Sequence, residues 1–553
     1  WAGAGKGSCI SDLMYHLDAR ATSVHETAYL DEKDAKHWAK NAAGVNGVEP
    51  RMAEFWRNLG ERGTITFFNR GWYTSAVEHE LFDQYGQLGD IKVDKHGIVR
   101  VSHNGHNSKA SHEHRYQDGF TGTVVDSSLQ YAHNFEKMLV DSGYVVVKFF
   151  VHARRKEIKA RMKAMEQNSA TSWRVTPQKI NALKHYQDQY CLYDRLLENT
   201  NFDFAPWTLI NGEDRYDADL TIARTLVAAL RNALAQEPDA ATAAVMKKAE
   251  ANSDTAPENA MENAAVVEKS TEPAESLSDI NERNRQDEVQ TAAIEEAKKQ
   301  SALAPVQSRF PIVHDYPQLD HSKEYPRLNP RNYKKKLKKE QHRLATLELE
   351  MHKKGIPLII MYEGWDAAGK GGNIKRVAQA LDARAYTIFP SPAPTRPELL
   401  HPHLWRYWTR LPEAGKIGIY DRSWYGRVLV ERIEGFATSQ EWGRAYDEIN
   451  EFERELVRWG ALVIKFWVDV HPDEQLRRFE AREENPLKRW KITNDDWRNR
   501  DKYPQYFAAV NDMFRLTSTP FAPWYILESD DKLYARVKAL EIINDSLEAR
   551  LQR

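Results

Sequence analysis

The sequence predicts an α/β protein made of two tandem P-loop domains, each a three-layer α/β/α sandwich with a parallel sheet. Three observations lead to this fold class. An apolar segment at residues 356–362 runs directly into a glycine-rich loop, EGWDAAGKGG, at 363–372. Strand and helix signals then alternate to the C-terminus, which favours parallel strands joined by right-handed helical crossovers. The same pattern also occurs earlier in the chain, which predicts a second domain of the same kind.

The repeat keeps a constant register over a long stretch. Pairs separated by 317 positions include Glu136 and Glu453, Lys148 and Lys465, and Trp207 and Trp524. Upstream the separation is 352 between Arg70 and Arg422, and 364 between Lys6 and Lys370. A gap-free match followed by two shifts indicates a duplication in which the first copy carries two insertions, the larger at 95–122.

Composition and length fit two domains and a linker. The 553 residues carry a net charge of −2, so any surface that attracts a polyanion must be local. Residues 236–304 are rich in Ala, Glu, Asn, Ser and Asp and poor in aromatics, so we expect a flexible linker. The predicted domains are residues 1–235 and 305–553. We expect the first to be truncated at its start, because the chain begins at Trp1, inside the loop and without a methionine.

Cysteine use and hydropathy bear on the compartment. Cys9 and Cys191, the two cysteines, have no metal-ligand or CxxC spacing, which favours a reducing, cytoplasmic location. No apolar run reaches the ~18–20 residues that a membrane-spanning helix needs, and no signal peptide is visible. We therefore expect no membrane association.

Each element of the second copy has its own signal. Four apolar residues on one helical face open it, namely Leu337, Leu344, Leu347 and Met351. The apolar run at 356–362 is typical of a buried parallel strand, and 372–381 is the helix that follows the loop. Further strands are predicted at 417–420, 461–468 and 524–527, and further helices at 447–459, at 473–482 and from Lys532 onward.

The loop of the second copy has the Gly-x4-Gly-Lys skeleton of a P-loop. Its glycines let backbone N–H groups turn toward a phosphate, the next helix adds the positive end of its dipole, and Lys370 adds a point charge. The loop residues expected to contact phosphate are Gly364, Ala367, Ala368, Gly369, Gly371 and Gly372. Gly371 stands where P-loops usually place the Ser or Thr that binds magnesium, so that hydroxyl is missing.

Two aspartates and an arginine complete the candidate site. Asp366 lies inside the loop, where a carboxylate repels phosphate unless it holds a cation or orients a nucleophile. Asp421 ends a hydrophobic strand, the position of a Walker B acid that binds Mg²⁺. We expect both aspartates to hold Mg²⁺ and Arg422 to stabilise charge on a transferring phosphoryl group. A surface ion pair between Asp421 and Arg422 is the alternative.

Three other features have competing interpretations. The basic segment 477–502 is either a solvated helix face or a mobile lid over phosphates, and its two tryptophans, Trp490 and Trp497, are too sparse to favour a nucleic-acid track. The histidines of the 95–122 insertion favour a surface loop over a metal site. Five aromatics either stack on a base or, as we expect for most, pack in the core: Trp365, Trp405, Trp408, Trp424 and Tyr425.

Taken together, these residues resemble the polyphosphate kinase 2 family. The segments that carry the resemblance are EGWDAAGKGG at 363–372, WRYWTRLP at 405–412, IYDRSWYG at 419–426, residues 466–468 and KRWKIT at 488–493. They cover nearly the whole second copy. The resemblance implies tandem P-loop kinase-like domains with a helical lid, and the missing hydroxyl at Gly371 agrees with the family pattern.

The resemblance also assigns roles to residues. It places the Walker A pair on Asp366 and Lys370 and the Walker B pair on Asp421 and Arg422. Four lid residues are expected to bind polyphosphate: Arg482, Lys488, Arg489 and Lys491. The implied cofactor is Mg²⁺, with Mn²⁺ as an alternative, and family analogy implies a homo-oligomer.

The fused two-copy layout is similar to the class that converts AMP to ADP with inorganic polyphosphate. Single-copy relatives phosphorylate nucleoside diphosphates or take AMP to ATP. The alternatives left open are a polyphosphate-dependent nucleoside diphosphate kinase, an ATP-dependent nucleoside monophosphate kinase and a polyphosphate-binding scaffold. Nucleic acid and membranes are not expected partners.

The first copy departs from this pattern. Its residues at three site positions are Ala2 for Asp366, Asn69 for Asp421 and Gly71 for Ser423. Without the two carboxylates a metal lacks its charged ligands, so we expect the first domain to be degenerate, with weak or no catalysis. Lys6 and Arg70 remain for binding polyphosphate or for assembly.

Overall fold

The computed structural model describes residues 3–26, 50–73, 91–93, 99–101, 125–235 and 307–552, apart from gaps at 19, 51, 170, 177–178, 181–182, 184–185, 487–488 and 490–491. The predicted linker at 236–304 and the five histidines of the 95–122 insertion lie outside these residues, so the domain boundaries stay predictions. The chain divides into two compact units, one of which consists mainly of the first copy and the other of the second.

The first unit contains the described residues of 3–26 and 52–235, together with Pro397–Thr409. Strand β1 (Thr22–Glu26) pairs in parallel with β2 (Ile65–Asn69), β3 (Ile91–Val93) forms a short antiparallel hairpin with β4 (Val99–Val101), and β5 (Lys148–His152) pairs in parallel with β6 (Trp207–Asn211). Its helices are α1 (Lys6–His16), α2 (Ala53–Arg57), α3 (Val125–Asp141), α4 (Arg155–Glu166), α5 (Tyr186–Asn199) and α6 (Arg215–Ala235).

The core of the first unit lies beside β5 and β6. Val151 and Ile210 from these strands pack with Ile158 of α4 and Ile222 of α6, and all four are buried. Because β5 and α4 also flank the loop that precedes α1, this core holds the loop in place even though the candidate carboxylates are absent from the sequence.

The second unit is built on a five-stranded parallel sheet in the order β11-β10-β7-β9-β8. The strands are β7 (Leu358–Gly364), β8 (Tyr386–Pro390), β9 (Ile417–Asp421), β10 (Leu462–Asp469) and β11 (Trp524–Glu528). The helices of the second copy are α7 (Pro330–Lys353), α8 (Lys370–Ala378), α9 (Arg396–Leu399), α10 (Trp405–Trp408), α11 (Val430–Ile433), α12 (Ser439–Trp459), α13 (Pro472–Glu483), α14 (Asn494–Asp501), α15 (Tyr503–Thr517) and α16 (Lys532–Leu551). The segment Pro397–Thr409, which contains α10 and all of α9 except Arg396, groups with the first unit.

Strand β7 is central to this sheet because it pairs with both β9 and β10. Six of its seven residues are buried, as expected for an apolar run covered on both faces. In the first unit, no strand among the described residues bridges β2 and β5.

The structure confirms the predicted α/β fold with parallel strands. The predicted strands and helices of the second copy appear with end shifts of a few residues, except that α12 begins eight residues before its predicted start. Strand β8 and the helices α9, α10, α11, α14 and α15 were not predicted. β8 lies at the edge of the sheet, is largely exposed and ends in proline, so it lacks the apolar signal of a central strand.

A buried ion pair anchors the loop after β9. Lys465 on β10 donates to the Glu453 carboxylate at 2.8 Å, to the Thr517 carbonyl at 2.7 Å and to the Tyr425 hydroxyl at 2.9 Å. Glu453 also accepts from the Trp424 indole at 3.0 Å. Both charges are fully buried and well supplied with partners, so the pair fixes the two aromatic residues that follow the candidate arginine.

The first unit repeats this pair. Lys148 donates to Glu136 at 2.9 Å and to the Thr200 carbonyl at 2.7 Å, and Trp72 donates to the same glutamate at 3.0 Å. The residues that kept register in the sequence are thus the residues that pair in space, which makes this network a shared structural element of both copies.

Among the residues that the structure describes, every helix is too short or too polar to cross a bilayer.

Candidate active site in the second unit

The glycine loop leaves β7 in a conformation that depends on glycine at both ends. Gly364 has φ 145°, and a methyl group placed on it would lie 2.3 Å from the Val468 carbonyl oxygen of β10. Gly369 has φ 116° and caps the N-terminus of α8. Ala367 adopts a left-handed φ of 58°, which is unusual for a residue with a side chain. These turns direct the loop around the N-terminus of α8, as the P-loop pattern predicts.

Lys370 folds back over the loop that it follows. Its ammonium donates to the carbonyl oxygens of Gly364 at 2.5 Å and Trp365 at 3.0 Å, and lies 4.0 Å from an Asp366 carboxylate oxygen. Burial lowers the pKa of Lys370, and the Asp366 charge partly offsets that effect. The lysine is therefore a positive charge held inside the loop.

Asp366 lies at the centre of the site. One oxygen accepts from Arg422 Nη2 at 2.9 Å, and the other accepts from Asn499 Nδ2, also at 2.9 Å. Burial alone would raise the pKa of Asp366, but the charges of Lys370 and Arg422 outweigh it and lower the pKa below its ordinary value. The carboxylate is thus ionised and fixed by three positive or amide groups.

Arg422 reaches Asp366 because its backbone is in the left-handed region, with φ 64°. Its N–H donates to the Tyr362 carbonyl of β7 at 3.0 Å, which ties the end of β9 to the central strand. A second tie is made by Glu363, whose buried carboxylate accepts from the Ser423 N–H at 2.7 Å and hydroxyl at 2.8 Å. Burial raises the pKa of Glu363, and the Ser423 hydrogen bonds partly oppose that shift.

The outer face of the loop is held by α13. Arg478 donates to the Ala367 and Ala368 carbonyls at 3.1 and 3.0 Å, and Gln475 donates to the Asp366 carbonyl at 3.0 Å. Because α13 holds the carbonyls of Asp366, Ala367 and Ala368 on the outer face, the loop N–H groups point to the inner face, where a phosphate would bind.

A buried acid positions the loop tryptophan. Asp469, at the end of β10, accepts from the Trp365 indole at 2.6 Å and contacts His321 Nε2 at 3.0 Å. Trp365 also stacks on Tyr503 of α15, with ring centroids 4.6 Å apart. The ring is buried, so it packs between elements, which agrees with the core role expected for most of the aromatics.

Three of the other predicted aromatics, Trp408, Trp424 and Tyr425, are buried. Trp405 is half-buried and stacks on the His401 ring, with centroids 3.9 Å apart.

The predicted lid is described only in part. Arg482 lies on α13, and Arg489 is exposed and donates to the Glu483 carbonyl at 3.0 Å. Lys488 and Lys491 lie outside the described residues, so their role stays a prediction.

Comparison with known proteins gives the family. The sequence profile of the polyphosphate kinase 2 family matches residues 115–238 and 327–553. A protein named polyphosphate:AMP phosphotransferase from Pseudomonas syringae pv. tomato is 34% identical over 552 residues, covering 100% of this chain and 89% of that protein. The chain belongs to the polyphosphate kinase 2 family.

Two further comparisons agree with this assignment. A protein of the same name from Acinetobacter johnsonii is 50% identical over 226 residues, which cover 41% of this chain and 47% of that one. A crystal structure described as polyphosphate kinase 2 from Pseudomonas aeruginosa matches with a TM-score of 0.66 and 31% identity, over 100% of this chain and 88% of that chain. The polyphosphate kinase 2 assignment therefore extends over both copies.

The donor set of this polyphosphate kinase 2 site fits a divalent cation bound partly by substrate. Among the described residues no group of three or more His, Cys, Asp or Glu is placed to hold a metal. Two carboxylates are available at the ends of neighbouring strands: Asp366 after β7, and Asp421 on β9, which has no side-chain hydrogen bond or ion pair within the described part of the chain. One or two carboxylates plus substrate phosphates is the set that Mg²⁺ usually takes.

Sequence reasoning missed several residues of this site, including Asn499, Gln475 and Asp469. Each contacts a loop residue more than 100 positions away. A signal was present, because the register of the two copies places Ala182, Ile158 and His152 at these positions in the first copy. A polar residue in the second copy that faces an apolar one in the first would have marked Asn499 and Gln475, and the acid facing a histidine would have marked Asp469.

The first copy keeps the frame of the site without its acids. Gly5 and Arg70 adopt φ values of 107° and 71°, close to those of Gly369 and Arg422. Arg161 donates to the Ala4 carbonyl at 3.2 Å, as Arg478 does to the loop of the second copy. The first copy thus has the backbone conformation of a P-loop but lacks the two candidate carboxylates.

Proposed function

We propose that this chain transfers a phosphoryl group from inorganic polyphosphate to AMP, producing ADP and a polyphosphate shortened by one unit, and that the second copy performs the transfer. The observation that carries the proposal is the ionised Asp366, held by Arg422 and Asn499 beside the loop lysine Lys370. The full-length similarity to a protein named polyphosphate:AMP phosphotransferase supports the donor and the acceptor.

The transfer needs positioning and charge neutralisation more than acid–base chemistry. An oxygen of the AMP phosphate attacks the terminal phosphorus of the donor in line. The new P–O bond forms as the bond to the bridging oxygen breaks, and the shortened chain leaves with that electron pair. In this scheme Lys370 and Arg422 stabilise the charge on the equatorial oxygens, and Asp366 orients the attacking phosphate.

A divalent cation, which we propose to be Mg²⁺ with Mn²⁺ able to replace it, neutralises phosphate charge when bound. Asp366 and Asp421 would hold it. Arg422 donates to one Asp366 oxygen and Asn499 to the other, and each oxygen has a further lone pair that a cation can use. Removing divalent cations with a chelator is expected to stop turnover, and adding Mg²⁺ back is expected to restore it.

We further propose that the first copy is catalytically silent and that the protein acts in the cytoplasm. The first copy has Asn69 and Ala2 in place of the two acids. The compartment is supported by Cys9, a free and buried cysteine whose pKa burial raises to about 12, which keeps it an unreactive thiol.

The test uses the duplication as its own control. ADP formation from AMP is measured with long-chain polyphosphate or ATP as donor, in wild type, Lys370→Ala and Lys6→Ala, the matched position in the first copy. We expect Lys370→Ala to lower kcat by on the order of 10²- to 10⁴-fold and Lys6→Ala to leave it within a few-fold of wild type. Equal losses in both variants would refute the assignment of catalysis to the second copy.

The donor and acceptor decide among the alternatives. Turnover with ATP alone would make the protein an ATP-dependent nucleoside monophosphate kinase. Turnover of ADP or GDP, but not AMP, with polyphosphate would make it a nucleoside diphosphate kinase. Polyphosphate binding without any product would leave a binding scaffold.

A further inference from the structure

Three cations lie beside the loop of the second copy, and none of them forms a salt bridge within the described part of the chain. Lys532 begins α16, where a methyl group placed on Gly369 would lie 3.9 Å from its Cγ atom. Arg536, one turn later, comes so close to the first turn of α8 that a methyl group on Gly372 would lie 3.2 Å from its Nη2 atom. Arg482, near the end of α13, acts electrostatically on Lys532. We call these three residues the α16 cation cluster.

The α16 cation cluster differs from the cations next to it on α13 and α16. Arg478 of α13 pairs with Glu474 at 2.6 Å, and Lys538 of α16 pairs with Glu528. Within the described part of the chain, no member of the α16 cation cluster forms a salt bridge of this kind. The cluster therefore places positive charge beside the loop that no directly bonded carboxylate neutralises.

Like charges held together raise the free energy of the ligand-free protein. The pKa of Lys532 is lowered to about 8, first by burial and then by the positive charges of Arg478, Arg482 and Arg536, with Glu474 opposing them. The neighbouring positive charges therefore add to the effect of burial in disfavouring the charged lysine. An anion bound there would relieve the repulsion, so the arrangement is favourable only when an anion is present.

The first copy lacks this arrangement. At the matched positions it has Met165 for Arg482, Arg215 for Lys532 and Asp219 for Arg536. Arg215 is paired with Asp12 at 2.5 Å and lies 3.8 Å from Asp219. In the first copy, which lacks the candidate carboxylates, this surface is thus neutralised as well. The α16 cation cluster therefore occurs only in the copy that is proposed to be catalytic.

We propose that the α16 cation cluster is a second phosphate subsite, which holds units of the polyphosphate donor beyond those in contact with the glycine loop. The proposal rests on polyphosphate being the donor. AMP brings one phosphate to Asp366, and the loop amides with Lys370 suffice for the end of a donor. A longer chain has further negative units to neutralise, and Lys532 and Arg536 lie next to the loop where such units would continue. The α16 cation cluster therefore selects for long donors.

The test is the double variant Lys532→Gln/Arg536→Gln, with Lys353→Gln as the matched control. Lys353 is exposed and ends α7 shortly before β7 begins, whereas the loop follows the other end of that strand. KM is measured for long-chain polyphosphate, tripolyphosphate and AMP. We expect the KM for long-chain polyphosphate to rise roughly ten- to a hundredfold, because two charge-assisted contacts are lost, while KM for AMP stays within about twofold. The control is expected to change none of the three.

Two further measurements keep the result unambiguous. Lys532→Arg retains the charge and is expected to keep the wild-type KM for long-chain polyphosphate. If the lysine acted only through packing, the larger arginine would be expected to raise that KM as well. The double variant is expected to unfold at a temperature no lower than wild type, since it removes repulsion. An unchanged KM for long-chain polyphosphate in the double variant, or an equal rise in KM for AMP, would overturn the subsite.

Direct binding separates this proposal from the proposed function. Fluorescence anisotropy with labelled long-chain polyphosphate, without AMP, is expected to show a loss of affinity in the double variant equal to the rise in KM. If wild type binds polyphosphate through the α16 cation cluster but forms no ADP, the proposed function fails and the subsite stands. If wild type forms ADP and the double variant binds polyphosphate normally, the subsite fails and the proposed function stands.

Discussion

The buried ion pair that occurs in both units allows one perturbation to be made twice in the same chain. Lys465→Met removes the cation of the second unit and leaves the Glu453 carboxylate fully buried, with hydrogen bonds from Trp424 and Tyr425 only. Breaking a buried pair in this way costs about 3–5 kcal/mol, because an uncompensated charge remains in the core. Lys148→Met makes the equivalent change in the first unit.

Hydrogen exchange read by mass spectrometry reports each unit separately within the intact chain. A loss of about 3–5 kcal/mol is expected to speed exchange of the most protected amides in β10 by roughly 10²- to 4 × 10³-fold in Lys465→Met, with β5 unchanged. Lys148→Met is expected to show the reverse. Because Trp424 and Tyr425 lie two and three positions after Arg422, only Lys465→Met is expected to lower ADP formation.

The double variant Lys465→Met/Glu453→Gln tests the physical reason. With neither charge left in the core, most of the lost protection in β10 is expected to return. The reasoning would be refuted by wild-type exchange in β10 of Lys465→Met, or by a double variant that exchanges faster than Lys465→Met.

Two other predictions concern the second unit. The pKa of Lys532 is lowered to about 8 from an ordinary 10.5, so the lysine loses its charge as pH rises through 8, and affinity for polyphosphate is expected to fall there. The stability of the chain without polyphosphate is expected to rise between pH 8 and 10.5, because the unfolded chain holds that proton longer. Lys532→Arg is expected to abolish both changes in pH titrations of binding and of unfolding. Asn499→Ala removes the α14 amide that donates to Asp366, a hydrogen bond worth about 1 kcal/mol, and is expected to lower kcat by about fivefold with KM for long-chain polyphosphate unchanged. An unaltered kcat in steady-state kinetics would contradict the role of Asn499 in positioning Asp366.

Much of the fold was accessible from sequence because its signals are local. The run before Gly364 predicts a central parallel strand, since only a strand covered on both faces is apolar at every position. The glycines predict the phosphate loop, since the chain there must adopt backbone angles that other residues avoid. The constant offset of 317 between Lys148 and Lys465 shows a duplication without any knowledge of the fold.

The candidate site was accessible in part. Asp366, Lys370, Asp421 and Arg422 stand within or directly beside two short motifs, and the structure brings Asp366, Lys370 and Arg422 into contact through β7 and β9. Asn499, which donates a hydrogen bond to the second Asp366 oxygen, belongs to α14, a helix without a recognisable motif. Nothing in its local sequence distinguishes it from a polar residue on a solvated surface.

The sequence by itself determined that the chain repeats one P-loop fold, that the second copy keeps the acids of the site, and which residues stayed in register. Only the tertiary structure decided what those residues do. Lys465 and Glu453 pair because a strand and a helix 12 positions apart in sequence pack face to face. Lys532 and Arg536 become a charged surface because α16 lies against α8, although more than 150 positions separate them from the loop. Local patterns encode backbone conformation and burial, whereas a site depends on distances between segments, and only the packed sheet sets those distances.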